Sequence, residues 1–161
     1  MRQGLYAFPE YKGKPDIAAY FAGRIYAPSY ISLHSALSFY GLIPEAVVQI
    51  TSVTSLKTAV FRNSFGEYSY KSVRNDLMFG YVPHPIADGR TIPYATREKA
   101  LLDLLYLYPF YNTEEELVNL RLDGDLLHDE LNRGEWELFL TRFHSGALEK
   151  RAQLLFKVYG L

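Results

Sequence analysis

The spacing of the apolar residues changes twice along this chain, and that change constrains its fold more than any other feature. Between residues 16 and 40 apolar positions recur at helical spacing, as at Ile17 and Phe21. From residue 47 to residue 94, short runs rich in β-branched and aromatic residues alternate with Ser, Asn, Gly or Asp. Helical spacing returns over residues 96–158. The sequence therefore predicts an α+β fold, with short N-terminal helices, a central antiparallel sheet of about four to five strands and a C-terminal helical segment.

Short polar residues mark where several of these elements begin. We expect Asp16, Ser32, Thr96 and Thr113 each to cap a helix, because each directly precedes a run with helical spacing. Thr113 is followed three positions later by a glutamate, which completes a capping box. Residues 63–66 predict the clearest turn between two strands.

Composition excludes several classes of protein. The chain of 161 residues contains no cysteine, which excludes disulfide scaffolds, cysteine-ligated zinc, iron–sulfur clusters and thiol catalysis. No apolar stretch approaches the roughly 18–20 residues that a membrane-spanning helix needs. The net charge of −1 gives the whole molecule no strong attraction to nucleic acid or to a membrane surface. We therefore expect a cytoplasmic protein of one domain that does not bind membranes.

Motifs for the common enzyme classes are absent from the sequence. No dinucleotide fingerprint, P-loop, nucleophile elbow or zincin motif occurs, and no two of the four histidines are spaced to share a metal on a helix. We expect no catalytic residue, no cofactor and no metal site, and so a protein that is not an enzyme.

One buried-looking acid keeps an enzymatic alternative open. Asp103 interrupts the apolar run ALLDLLYLY, and a charge in that position needs a partner if it is buried. Lys99 stands four residues earlier and can supply one. We expect a structural ion pair between them; an enzyme of unrecognised type, built on Asp103 or on the acidic segment 114–130, is the alternative.

Basic and aromatic residues alternate over residues 57–74. This pattern suits contact with a phosphate-rich partner or with single-stranded nucleic acid, because cations bind phosphates and rings stack on bases. The predicted contact residues are the four cations and two of the tyrosines: Lys57, Arg62, Lys71, Arg74, Tyr68 and Tyr70. An ordinary strand with its aromatic residues towards the core and its charges towards water explains the pattern equally well.

Three sequence blocks resemble a known family. They are PSYISLHSALSFYGLIPE at 28–45, QITSVTSLKT at 49–58 and YATREKALLDLLYLYP at 94–109. In order and spacing these blocks resemble the AbiEi antitoxins of bacterial abortive-infection systems. Residues 15–161 are accordingly identified as an AbiEi-like antitoxin domain.

The resemblance also carries implications for the beginning of the chain. In the family, a winged-helix domain comes first, and its wing ends in a string like the GLYAF at residues 4–8. The resemblance therefore implies that residues 1–14 are the remnant of a wing or a linker strand. It also implies that DNA binding, and with it repression as a transcriptional regulator, requires a winged helix to be supplied.

The resemblance implies a function in phage defence. Proteins of this family counteract a partner nucleotidyltransferase toxin, in type IV toxin–antitoxin systems whose two components need not form a stable complex. The expected partner of this chain is thus such a toxin. The alternative function is a nucleic-acid-binding module that uses the basic, aromatic-rich strands.

Overall fold

A mixed sheet of six strands lies at the centre of residues 15–161, the part of the chain that the computed structural model describes. The strands are β1 Ser29–Ile31, β2 Ile50–Thr54, β3 Ala59–Asn63, β4 Gly66–Ser72, β5 Tyr81–Pro85 and β6 Thr91–Ala95. Their order across the sheet is β3-β4-β2-β1-β6-β5. The α+β fold is as predicted, but the antiparallel sheet of four to five strands is wrong, because β1 pairs with β6 and β2 with β4 in parallel.

Two local features explain this difference. The strand β1 has only three residues between two helices, too few to show a period of two, and yet it lies in the middle of the sheet. The strand β4 lies between β2 and β3 rather than after them, because it carries the fully buried Tyr68 and Tyr70. In β3, by contrast, residues alternate between half-buried and exposed, which suits an outer strand.

Seven α-helices complete the described residues. They are α1 Pro15–Ile25, α2 Leu33–Phe39, α3 Arg97–Leu107, α4 Glu114–Asn119, α5 Gly124–Glu130, α6 Arg133–Phe143 and α7 Gly146–Tyr159. Thr96 and Thr113 cap α3 and α4 as predicted, since their hydroxyl oxygens accept from N–H groups three residues on. Asp16 lies within α1 rather than before it. Ser32 occupies the N-cap position of α2, but its side chain makes no bond to that helix.

The helices lie on both faces of the sheet. The hydroxyl of Tyr70 donates to the carbonyl of Ala22, which fixes α1 on one face. Ile31, Ser52 and Tyr70 pair with one another across three strands, so their side chains share one face of the sheet. Tyr30 precedes Ile31 by one residue, so its side chain points to the other face. There it meets α3, and α6 and α7 pack in turn against α3.

The two outer strands of the sheet differ in sequence. The edge strand β5 contains Pro83 and Pro85, whereas β3 contains no proline.

None of the helices in residues 15–161 has the length and apolar character needed to cross a membrane. The predicted wing remnant or linker strand at residues 1–14 lies outside the described residues.

Candidate partner-binding surface

The most concentrated polar chemistry in the described chain is a buried cluster between β1 and α3. The ammonium of Lys99 lies 2.6 Å from one carboxylate oxygen of Asp103. The hydroxyls of Tyr30 and Ser32 each donate to the other carboxylate oxygen at 2.8 Å. Lys99 also donates to the Tyr30 hydroxyl at 2.7 Å and to the carbonyl of Leu77 at 3.0 Å. We call Tyr30, Ser32, Lys99 and Asp103 the polar cluster.

The hydrogen bonds assign the charges within the polar cluster. The nitrogen of Lys99 has three acceptors, which is the number that an ammonium satisfies, and Asp103 receives three donors, as a carboxylate does. Burial lowers the pKa of Lys99 and raises the pKa of Asp103, and the attraction between the two charges opposes both shifts. Burial, followed by the charge of Asp103, holds the pKa of Tyr30 well above its usual value.

The polar cluster is closed to solvent. Lys99 and Asp103 have no exposed surface at all, and their partners are 0–1% exposed. Three aromatic rings surround the ammonium, those of Tyr30, Phe79 and Phe143, at 4.6–5.1 Å from their centroids. The predicted structural ion pair is therefore confirmed, and Asp103 cannot reach a substrate in this structure.

Gly80 allows the lysine to lie where it does. Its backbone has a φ of +75°, a conformation that residues other than glycine rarely adopt. A Cβ at this position would also lie 2.9 Å from Cγ of Lys99. The glycine thus gives the buried lysine its room, a requirement that sequence reasoning did not detect.

The four basic residues singled out in the sequence do not form one positive face. Arg62 and Lys71 share a face of the sheet, because Arg62 is paired with Glu67 and Lys71 follows Glu67 by four residues on β4. Lys57 and Arg74 lie outside the strands, in the connection before β3 and after β4. Arg62 is already paired with Glu67 at 3.1 Å and Arg74 with Asp76 at 3.2 Å.

The two tyrosines predicted beside them are core residues. Tyr68 and Tyr70 are 0% exposed, so their rings present no surface on which a base could stack. Burial raises the pKa of Tyr68 to about 12 and shifts that of Tyr70 in the same direction. For these two residues the expectation of a contact surface is wrong, and the alternative, aromatic residues towards the core, is correct.

Aromatic side chains that the sequence analysis did not single out lie where α3 ends. The rings of Tyr108 and Tyr111 are 6.5 Å apart, and Phe110, which is 60% exposed, packs edge-on against Tyr111. Lys71 places its ammonium 5.4 Å from the centroid of Tyr108, and His34 packs edge-on against the same ring. We call these five residues the aromatic loop surface. Three aromatic residues within four positions beside a proline were the available signal.

A small cavity adjoins the aromatic loop surface. It has a volume of about 290 Å³ and lies between His34, Glu45 and Tyr111. Partial burial lowers the pKa of His34, and the negative charge of Glu45 opposes this shift. The ring of His34 therefore favours its neutral form, and the surface presents mainly aromatic groups with Lys71 as its cation. Aromatic side chains are enriched in the cores of protein contact surfaces.

Within residues 15–161 no three His, Asp or Glu side chains are grouped so as to hold a metal ion. Neither a protein-family model nor a curated protein matches this chain.

Proposed function

We propose that this chain is a cytoplasmic, non-catalytic antitoxin domain of a bacterial toxin–antitoxin system, and that it counteracts a nucleotidyltransferase toxin. The observation that carries the proposal is the resemblance of the three blocks at 28–45, 49–58 and 94–109 to the AbiEi antitoxins. In the fold, the three blocks pack together. The first and third meet in the polar cluster, and the first and second are joined by hydrogen bonds between Ser32 or Ser35 and Thr51.

The buried residues of these blocks and the exposed residues beside them have different roles. The residues of the blocks that bond to each other are buried, so they specify the fold rather than a surface for a partner. The aromatic loop surface begins at the end of the third block and offers the exposed ring of Phe110 beside the cation of Lys71. We propose that this surface makes the contact by which the domain opposes the toxin. An exposed aromatic ring suits such a contact, because aromatic residues are enriched in the cores of protein interfaces.

Growth rescue tests the proposal. The 161-residue chain is expressed together with the nucleotidyltransferase encoded next to it, and survival is compared with that of cells that express the toxin alone. We expect rescue. If soluble, folded chain leaves the toxin fully active, the antitoxin proposal is wrong.

A pair of variants tests the surface separately from the function. Phe110→Asp introduces a charge at a position that is 60% exposed, and Leu138→Asp introduces the same charge on α6 at a position that is 61% exposed. We expect Phe110→Asp to abolish rescue and Leu138→Asp to preserve it. Equal rescue by both variants would remove the aromatic loop surface from the proposal and leave the function standing.

Nucleic-acid binding is the second candidate function, favoured by the position of Lys71 above the ring of Tyr108. Its test is the quadruple change to Ala at Lys57, Arg62, Lys71 and Arg74. Loss of a salt-dependent affinity for single-stranded RNA would support this candidate. Unchanged affinity for RNA together with unchanged rescue would show that the four residues are ordinary solvent-exposed residues.

A further inference from the structure

A cavity of about 320 Å³ opens between α1 and the hairpin formed by β5 and β6. Tyr20 and Arg24 line it from α1, Tyr81 and Pro93 from the hairpin, and Met78 from the segment before β5. The volume is at the lower end of the range of about 300–1,000 Å³ that is typical of small-molecule sites. The walls combine two phenol rings and apolar side chains with one guanidinium, so a ligand that fits them is flat on one part and anionic on another.

Arg24 lines this cavity, and Arg90, which is not a lining residue, lies beside the ring of Tyr20, which is one. The guanidinium carbon of Arg90 lies 5.2 Å from the ring centroid of Tyr20, and that of Arg24 lies 6.0 Å from the same centroid. Among the described residues, no carboxylate lies within 4.0 Å of either group; Asp16 and Asp88, the acids nearest in sequence, form no ion pair. Two like charges beside one ring attract an anion, and a guanidinium suits a phosphate in particular.

The cavity also contains an aromatic platform that is held in place. Tyr81 is 43% exposed, and its ring stacks on Tyr30 with centroids 4.7 Å apart and planes at 14°. Tyr30 is fixed in turn by its bonds to Lys99 and Asp103 in the polar cluster. A ring supported in this way is ordered before a ligand arrives, which reduces the entropy lost on stacking.

We propose that this cavity binds a phosphorylated nucleoside, with the base against Tyr81, the phosphate at Arg24, and Arg90 as a second cation beside Tyr20. The proposal is independent of the proposed function, because it does not use the resemblance of the three blocks to a known family. The phosphorylated nucleoside is either a free mononucleotide or the 5′-phosphorylated end of a single strand; both present the same ring and the same anion.

Calorimetric titration with AMP, adenosine and inorganic phosphate tests the ligand class. We expect AMP to bind at least about tenfold more tightly than adenosine, which lacks the charge, and than phosphate, which lacks the ring. Equal affinities for AMP and adenosine, equal affinities for AMP and phosphate, or no binding of AMP would each overturn the proposal. Titration with a short 5′-phosphorylated RNA then identifies the source. Tighter binding than AMP indicates a strand end and weaker binding a free nucleotide, and either result supports the site.

Variants locate the site. The double change Arg24→Gln and Arg90→Gln is expected to weaken AMP at least about tenfold. Arg121→Gln with Lys157→Gln removes the same number of exposed charges from residues that are ion-paired elsewhere, and it should leave the affinity for AMP unchanged. An equal loss in both double variants would overturn the proposal, because the effect would then come from overall charge. Circular dichroism of each variant shows that the fold is retained.

Discussion

The polar cluster and the ion pairs at the β3–β4 end of the sheet use the same kinds of charge in opposite surroundings. Lys99 and Asp103 have no exposed surface, whereas Arg74 and Asp76 keep 58% and 63% of theirs. Removing one member of a buried pair leaves a charge in the protein interior with neither water nor a partner. An exposed residue that loses its partner is solvated again. Two ion pairs with the same kinds of charge therefore contribute differently to the stability of the fold.

We expect the greatest loss of stability when one member of the buried ion pair is removed. Asp103→Ala leaves the ammonium of Lys99 among aromatic rings without its counter-ion. The change should lower the free energy of unfolding by about 3–5 kcal/mol. Urea denaturation, followed by fluorescence of the single tryptophan, Trp136, measures this loss. Asp76→Ala is the exposed control, expected to change stability by less than about 0.5 kcal/mol. Similar losses in both variants would show that burial does not distinguish the two pairs.

A second change tests the space around the lysine rather than its charge. Gly80→Ala places a methyl group 2.9 Å from Cγ of Lys99 at a φ of +75°, whereas Gly89→Ala meets nothing within 4 Å at a φ of +73°. We expect Gly89→Ala to lose about 1 kcal/mol from backbone strain alone and Gly80→Ala about 1–3 kcal/mol more from crowding. Equal thermal stabilities of the two variants would mean that Lys99 moves aside freely.

Glu98 is a buried carboxyl that forms no ion pair with any cation of residues 15–161. It is 4% exposed and accepts a bond from the backbone N–H of Asn132. Burial raises its pKa, and the neighbouring carboxyl of Glu135 adds to that shift. Because the folded pKa lies above the unfolded value of about 4.3, the stabilising contribution is complete below that pH and is lost as pH rises through the folded pKa.

Glu98→Gln removes this titration and keeps the oxygen that accepts from Asn132. The variant should match the wild type near about pH 4 and exceed its stability progressively towards about pH 7. Urea midpoints across that range are the measurement, and Glu137→Gln, an exposed change on α6, should retain the pH dependence of the wild type. A constant difference between Glu98→Gln and the wild type at every pH would contradict the prediction.

The smallest effect lies at the exposed side. Arg74→Ala removes the ion pair with Asp76, and we expect a loss below about 0.5 kcal/mol that shrinks further in high salt, because the pair is solvated and screened. Thermal melting at low and high salt measures it. A loss that is large and independent of salt would place Arg74 in the same class as Lys99.

Local signals in the sequence predicted local structure well. Thr96 and Thr113 cap their helices, and the turn at residues 63–66 joins β3 to β4, because each depends on neighbours within a few positions. The pairing of Lys99 with Asp103 was visible for the same reason, being one turn of a helix apart.

Contacts between distant parts of the chain were not predictable in this way. Tyr30 and Ser32 donate hydrogen bonds to Asp103, which lies 73 and 71 residues away in the sequence. Nothing in the sequence around either residue indicates that partner. The side chain of Ser32 was expected to cap α2 and instead donates to the carboxylate of Asp103, whereas the N–H of Ser35 at that helix start donates to the hydroxyl of Thr51. The inner position of β4 and the convergence of Arg24 with Arg90 likewise depend on tertiary packing.

The two prolines of β5 limit how copies of this fold can associate through the sheet. Ile86 donates its N–H to Arg90 in the hairpin, so by alternation the N–H positions of residues 83 and 85 point away from β6, and proline leaves both without a donor. β3 keeps its donors and exposes Val60. An aggregate that grows by adding strands needs two competent edges on every copy. With one such edge among the strands of residues 15–161, strand addition ends at a pair of copies joined through β3 instead of a fibre.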